Sequence, residues 1–214
     1  MTPTQIELAA RNRYNAVGDS FWSQDEILML LYDACLDMAR ECLLIENTYT
    51  TSTVASQLEY AYPTTTMAIK RITYNGSKLK KINFREDDSI TGLNQSTTST
   101  GTPQFYFIWN DTISLRPIPT DVGTLKIYSF NEPAELTINS SIEIPTQFHM
   151  DLVNYIVSEM AAKDSNINVA QYYLNKWDKA KLNAKRWAKK RLRTDSFSTV
   201  QDEEMSVEGY FGIV

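Results

Sequence analysis

Ser23-Gln24-Asp25-Glu26-Ile27-Leu28-Met29-Leu30-Leu31 starts as a helix start should and runs straight into an apolar pattern. Ser23 followed three residues later by Glu26 has the form of a capping box, in which hydroxyl and carboxylate satisfy backbone N–H groups that a helix start leaves free. Ile27, Leu31, Ala34, Met38, Cys42 and Ile45 then recur at steps of three and four. That spacing lines one face of an amphipathic helix over 23–45. Toward the N-terminus, Thr4-Gln5-Ile6-Glu7 repeats the box behind Pro3 and predicts a short helix ending near Arg13, with a turn through Asn15 to Ser20.

Beyond residue 48 the chemistry changes. Threonine-rich stretches (Thr48 to Thr53, Thr64 to Thr66, Thr97 to Thr102) disfavour helix and separate short aromatic or β-branched runs. Ile69 to Tyr74 and Lys78 to Ile82 flank Asn75-Gly76, a type I′ hairpin signal because both residues accept positive φ. Phe105 to Trp109 and Ile113 to Arg116 flank Asn110-Asp111, a second tight turn, and Leu125 to Phe130 reads as a further strand. Asn94 to Pro103 is polar and Ser/Thr-rich, the composition of a mobile loop.

Helical spacing returns after Glu143-Ile144. Pro145 suits a first helical position, and Phe148, Leu152, Tyr155, Ile156 and Met160 follow the period. After a break at Asp164 to Asn168, Val169, Tyr173, Trp177, Ala180, Ala184 and Trp187 mark the stripe of a last helix over 168–193. The pattern is α+β: a helical bundle (long helices 23–45, 145–164 and 168–193) with an inserted antiparallel β-unit and an extended C-terminal tail. The corresponding domains are 1–47 with 141–193 for the bundle, 48–140 for the β-rich insertion and 194–214 for the tail.

Composition narrows the function. The 214 residues carry a formal charge of −5, unlike a dedicated nucleic-acid binder, which is usually basic. Cys35 and Cys42 stand two helical turns apart, roughly 10 Å, too far for a disulfide, and read as small core residues. His149 is the single histidine and cannot build a histidine metal site or triad. No glycine forms a phosphate-binding loop. Asp87-Asp88 and Asp202 to Glu204 lack the partners of a calcium loop or an acid/base pair. The expectation is therefore a protein that is not an enzyme, with no catalytic residue, cofactor or metal. No apolar run approaches the roughly 20 residues of a membrane span, and Met1 to Ala10 lacks the basic-then-apolar order of a signal peptide. Folding and action in a cytoplasm, without a membrane partner, are expected.

Charge is unevenly distributed. Lys176, Lys179, Lys181, Lys185, Arg186, Lys189, Lys190, Arg191 and Arg193 crowd the last helix against one acid, Asp178. The tail holds Asp195, Asp202, Glu203, Glu204 and Glu208, no base, and the apolar run Tyr210-Phe211-Gly212-Ile213-Val214. Trp22, Trp177 and Trp187 read as packing residues, and Trp109, beside a hairpin turn, as a β-core residue, with exposure for a partner as the alternative.

The order of these elements resembles the head-to-tail adaptor (connector, or head-completion) proteins of tailed bacteriophages, particularly the short-tailed type. Phe21-Trp22-Ser23-Gln24-Asp25-Glu26-Ile27-Leu28 is similar to that family's lead-in to its first long helix. Tyr62-Pro63 and Ile69 to Gly76 resemble its first hairpin; Gly101-Thr102-Pro103-Gln104-Phe105-Tyr106-Phe107 with Ile113 to Pro119 resembles its second. Ile144-Pro145-Thr146-Gln147-Phe148-His149 is similar to the start of its penultimate helix, so the likeness spans residues 10–193.

The resemblance implies a virion protein at the head–tail junction, in a ring of about twelve neighbouring copies beneath the portal protein. Its other partners would be a tail nozzle or tail-tube protein, possible tail fibres, and genomic DNA in transient passage. Tyr210, Phe211, Ile213 and Val214 are the candidate anchors to the portal or a neighbour, since an unstructured acidic segment with aromatic anchors can fold on a partner; the alternative is a frayed terminus. Lys185, Arg186, Lys189, Lys190, Arg191 and Arg193 are the candidate basic interface or lumen face. Three readings of that basic run stay open: a solvated helix end favoured by the helix dipole, a contact with an acidic neighbour, and contact with DNA phosphates. Three other readings are weighed: a nucleic-acid-binding module built on the last helix, a tail component serving as a fibre-attachment platform, and a phage cell-wall hydrolase fused to an adaptor-like body. The hydrolase would need a carboxylate pair in a cleft.

Overall fold

The computed structural model describes the backbone of residues 1–91 and 99–194 and the side chains of 1–87 and 99–191. In chain order the elements are α1 (Pro3–Tyr14), α2 (Gln24–Cys42), β1 (Glu46–Ser52), β2 (Glu59–Ala61), β3 (Thr66–Tyr74), β4 (Ser77–Lys78), β5 (Lys80–Lys81) and α3 (Phe84–Thr91). Then follow β6 (Thr100–Gly101), β7 (Phe105–Trp109), β8 (Thr112–Arg116), β9 (Ile118–Pro119), β10 (Thr124–Asn131), α4 (His149–Lys163) and α5 (Ile167–Thr194). The fold is α+β, in agreement with the sequence pattern. The chain divides into two compact units, one from residues 1–45 with those from 132 onward, the other from residues 46–131.

In the helical unit, α1 begins two residues earlier than its sequence pattern indicates. The Thr2 hydroxyl accepts the Gln5 N–H at 3.2 Å, and the Gln5 side-chain oxygen accepts the Thr2 N–H at 3.0 Å. Pro3 occupies the first turn, where its missing N–H costs nothing. Glu7 is thereby freed from capping; buried, it accepts from Arg11 and from Gln24, each at 2.9 Å.

Ser23 caps α2, accepting the Glu26 N–H at 3.2 Å, but only this half of the expected box is made: the Glu26 carboxylate takes Lys163 instead of returning to the cap. The helix stops at Cys42, short of residue 45, because Leu43 turns left-handed (φ 51°) and closes the end by donating to the Ala39 carbonyl at 2.9 Å. Leu44 and Ile45 stay buried past that turn.

Pro145 precedes a single 3-10 turn, Thr146–Phe148, rather than opening the α-helix, which starts at His149. α4 is the centre of the unit and packs on α1, α2 and α5. Leu152, Val153, Ile156, Val157, Met160 and Ala161 are all fully buried and form a broad apolar face, while Asp151, Tyr155 and Glu159 mark the less buried side. α5 lays Trp177, Ala180, Ala184 and Ala188 onto it. The small alanines permit close approach, and Trp177 fills the remaining space while its indole N–H donates to Asp37 at 2.9 Å.

The β-unit consists of two four-stranded sheets, ordered β1-β10-β3-β4 and β2-β8-β7-β5, and a β6-β9 pair. Their common core is Tyr60, Ile72, Tyr74, Leu79, Tyr106, Ile113, Leu115, Leu125 and Ile127. Both turns form where the sequence places them, but the strand expected over Lys78 to Ile82 is divided: only Ser77–Lys78 pairs with β3, and Lys80–Lys81 joins β7 in the other sheet. Asn75 and Gly76 have φ of 47° and 84°, and Asn110 and Asp111 of 48° and 57°, the left-handed pair that type I′ turns demand. Most pairings are antiparallel, but β5 with β7 and β6 with β9 are short parallel pairs that a hairpin reading does not foresee. β1 and α3 are two further elements of this kind. Residues 94–98 of the loop expected at Asn94 to Pro103 lie outside the described residues.

Candidate interaction surfaces

The two faces of α5 differ in charge chemistry. Toward α2, Lys181 reaches Asp37 and Glu41 at 3.0 Å each, and Lys185 reaches Glu41 at 2.7 Å. Burial pulls the Lys181 ammonium down, but hydrogen bonds and charge from Asp37 and Glu41 more than offset it, so its pKa is raised. Glu41 shows the mirror image: burial raises it, Lys185 and Lys181 lower it, and the net shift is downward. Lys185, one of the candidate basic residues, is thus committed to holding α2 against α5.

On the outward face, Lys176, Lys179, Arg186, Lys190 and Arg191 are exposed. Positions 176, 179, 186 and 190 keep to one side of the helix by their three-, seven- and four-residue steps. Lys176 stands 4.3 Å from the Tyr172 ring centroid, and the Arg191 guanidinium lies 5.3 Å over Trp187. Lys179 and Arg186 make no ion pair or hydrogen bond among the described residues. Lys189 is half-buried. The Arg193 side chain and Tyr210, Phe211, Ile213 and Val214 lie outside the described residues, so the candidate tail anchors have no position here.

In the β-unit, Trp109 is not a core residue. It is 65% exposed at the second hairpin turn and stacks edge-on against Phe84, which also touches Phe107. Phe84 is the first residue of α3, so this small aromatic cluster ties that helix to β7. The second tie is Asp87, buried and engaged side-on by Arg116 at 2.7 and 3.1 Å. Sequence reasoning set Asp87 aside as a poor metal ligand without seeing its partner. The one available signal was the three-residue step from Phe84 to Asp87, a single helical turn.

Two shallow recesses occur among the described residues. One, about 320 Å³, lies over β3 and β10 between Arg71, Thr73, Lys126 and Tyr128. The other, about 480 Å³, lies where α1 ends and α5 begins, lined by Tyr14, Asn166, Tyr172 and Tyr173. Beside the second, the Tyr14 hydroxyl donates to Asp164 at 2.7 Å; burial first, then that carboxylate, pushes its pKa up to about 12.

Neither recess gathers a nucleophile and a base. Cys35 and Cys42 are buried free thiols, each pushed up to about 12 chiefly by burial. His149 is buried against the Ile144 carbonyl at 2.7 Å, and burial holds its pKa below the usual imidazole value. Among the described residues no three His, Cys, Asp or Glu side chains come together as a metal site, and no helix is long and apolar enough to cross a membrane. What the molecule offers is surface: a cationic helix face, a polar sheet face and an exposed aromatic tip.

Comparison with known proteins agrees with that character. No curated protein matches the chain. The SU10 adaptor protein family matches residues 1–201, nearly the whole sequence, and the resemblance read from the order of short motifs holds. The chain belongs to the SU10 adaptor protein family and is a phage adaptor, a structural component of a virion.

Proposed function

We propose that the chain is the subunit of a ring of about twelve copies beneath the portal, joining it to the tail nozzle or tail tube and surrounding the DNA exit channel. Membership of an adaptor family across residues 1–201 is the observation that carries this reading. The helical unit, with α4 enclosed on three sides by other helices, supplies a wall stiff enough to repeat around a ring. The β-unit, with its polar recess and exposed Trp109, supplies the surface toward the tail or its fibres. The tail supplies Tyr210, Phe211, Ile213 and Val214 as anchors into the portal or a neighbouring copy.

The mechanism is assembly rather than chemistry. A channel lining must let DNA slide, and two of the lysines on α5 are already neutralised by Asp37 and Glu41, which suits weak contact better than tight binding. The test is to mix the purified chain with its phage's portal ring and weigh the product by mass photometry. A saturating gain of about twelve subunits supports the ring. No association at micromolar concentration overturns it. Removing residues 197–214 should abolish docking, and unchanged portal affinity would remove the tail from the interface.

A further inference from the structure

We infer that the cationic outer stripe of α5 is a docking face for the chain's own acidic segment, residues 195–208. Two observations point there. First, α5 carries nine basic residues and one acid, whereas the segment from 195 to 214 carries five acids and no base. Lys181 and Lys185 spend their charge on α2, but Lys179 and Arg186 stand exposed with no partner among the described residues. Nearby, exposed Leu182 offers an apolar contact beside the charges.

Second, the geometry of connection favours the encounter. The acidic segment leaves directly from the end of α5. From Lys179 to Lys190 is about 16 Å along the helix axis, while the fourteen residues 195–208 in extended form span roughly 45 Å. The segment can therefore turn back and run the length of the stripe. Covalent attachment gives it a millimolar-scale effective concentration, so a few weak, partly screened ion pairs suffice to hold it. Asp202-Glu203-Glu204 is the densest acidic run and is the part set against Lys179 and Arg186.

The consequence is a guarded subunit. While residues 195–208 lie on α5, the cationic stripe is hidden from other acidic surfaces and the apolar run that follows is held back. This contact belongs to the free subunit and stands whether or not a ring forms on a portal.

The test is lysine acylation of the dilute full chain, read residue by residue by mass spectrometry. It is compared with a chain stopped after Thr194 and with full-length D202N/E203Q/E204Q. The expected result is that Lys176, Lys179 and Lys190 react several-fold more slowly in the unaltered chain than in either variant. Lys126 of the β-unit should react equally in all three. In about 1 M salt, where the screening length is about 3 Å, the protection should vanish. Equal acylation of these lysines in the three proteins overturns the proposal. Protection that is lost on dilution also overturns it, because it would show a second copy, not the chain's own segment, to be the occupant.

Discussion

The helical unit and the β-unit handle charge in opposite ways. In the helical unit, Lys181 and Lys185 meet Asp37 and Glu41 at the half-exposed seam of α2 and α5, where water shares the load. In the β-unit, Asp87 and Arg116 pair at 1% and 2% exposure, and they hold a short helix onto a sheet. A seam of exposed pairs can lose a member and rehydrate. A buried pair cannot: removing one partner strands the other charge in a low-dielectric interior. The helical unit should thus be tolerant of charge changes and the β-unit brittle at one point.

The largest effect is expected at that point. Asp87→Ala should cost about 3–5 kcal/mol, because the Arg116 guanidinium, whose Nη1 already has no hydrogen-bond partner, would be left buried without its carboxylate. Urea unfolding followed by hydrogen exchange of amides in residues 46–131 measures it. The pair Asp87→Leu with Arg116→Met should recover most of that loss, since two apolar groups leave no charge to desolvate. A double variant as weak as the single one would mean that the pair does more than neutralise itself.

A steric test comes next in size. A Cβ at Gly123 would stand 2.5 Å from the Tyr74 ring, backed by the Thr53 hydroxyl, which accepts the Gly123 N–H at 2.8 Å. Gly123→Ala should cost about 1–3 kcal/mol through overpacking. Gly123→Ala combined with Tyr74→Leu should cost less than the sum, which a double-mutant cycle would read directly.

The contrast also explains which parts of the chain are legible in sequence. α2, α4 and α5 announce themselves because each buries a stripe, and a stripe is a local spacing. The hairpins at Asn75-Gly76 and Asn110-Asp111 do so because positive φ demands particular residues. β1 escapes notice: it is exposed along nearly its whole length, so no apolar alternation marks Glu46 to Ser52 as a strand. α3 escapes for a different reason. What holds it is Arg116, 29 residues from Asp87, and no local pattern encodes a partner at that distance. Trp109 reads as a β-core residue from its place at the end of an apolar run, but that place is also the edge of a turn, which leaves it exposed. Of the candidate site residues, Lys185 belongs to the basic run in sequence, but its commitment to Glu41 becomes visible only when α2 and α5 are side by side.

The smallest effect sharpens the comparison from the tolerant side. Lys181→Met should cost no more than about 1 kcal/mol, because its pairs are partly solvated and its aliphatic stem is kept. The same seam sets a pH dependence. The raised Lys181 pKa contributes stability that is fully present below the lysine's unfolded value and is lost as pH rises through the folded one. The lowered Glu41 pKa contributes stability present above its unfolded value and lost as pH falls through the folded one. Between those limits, from weakly acidic to moderately alkaline pH, both contributions of the seam are intact. Thermal melts of the unaltered chain and of Lys181→Met across alkaline pH should therefore converge as the lysine deprotonates. If the gap between them stays constant, what Lys181 contributes is packing of its stem, and the helical seam is held by shape rather than by charge.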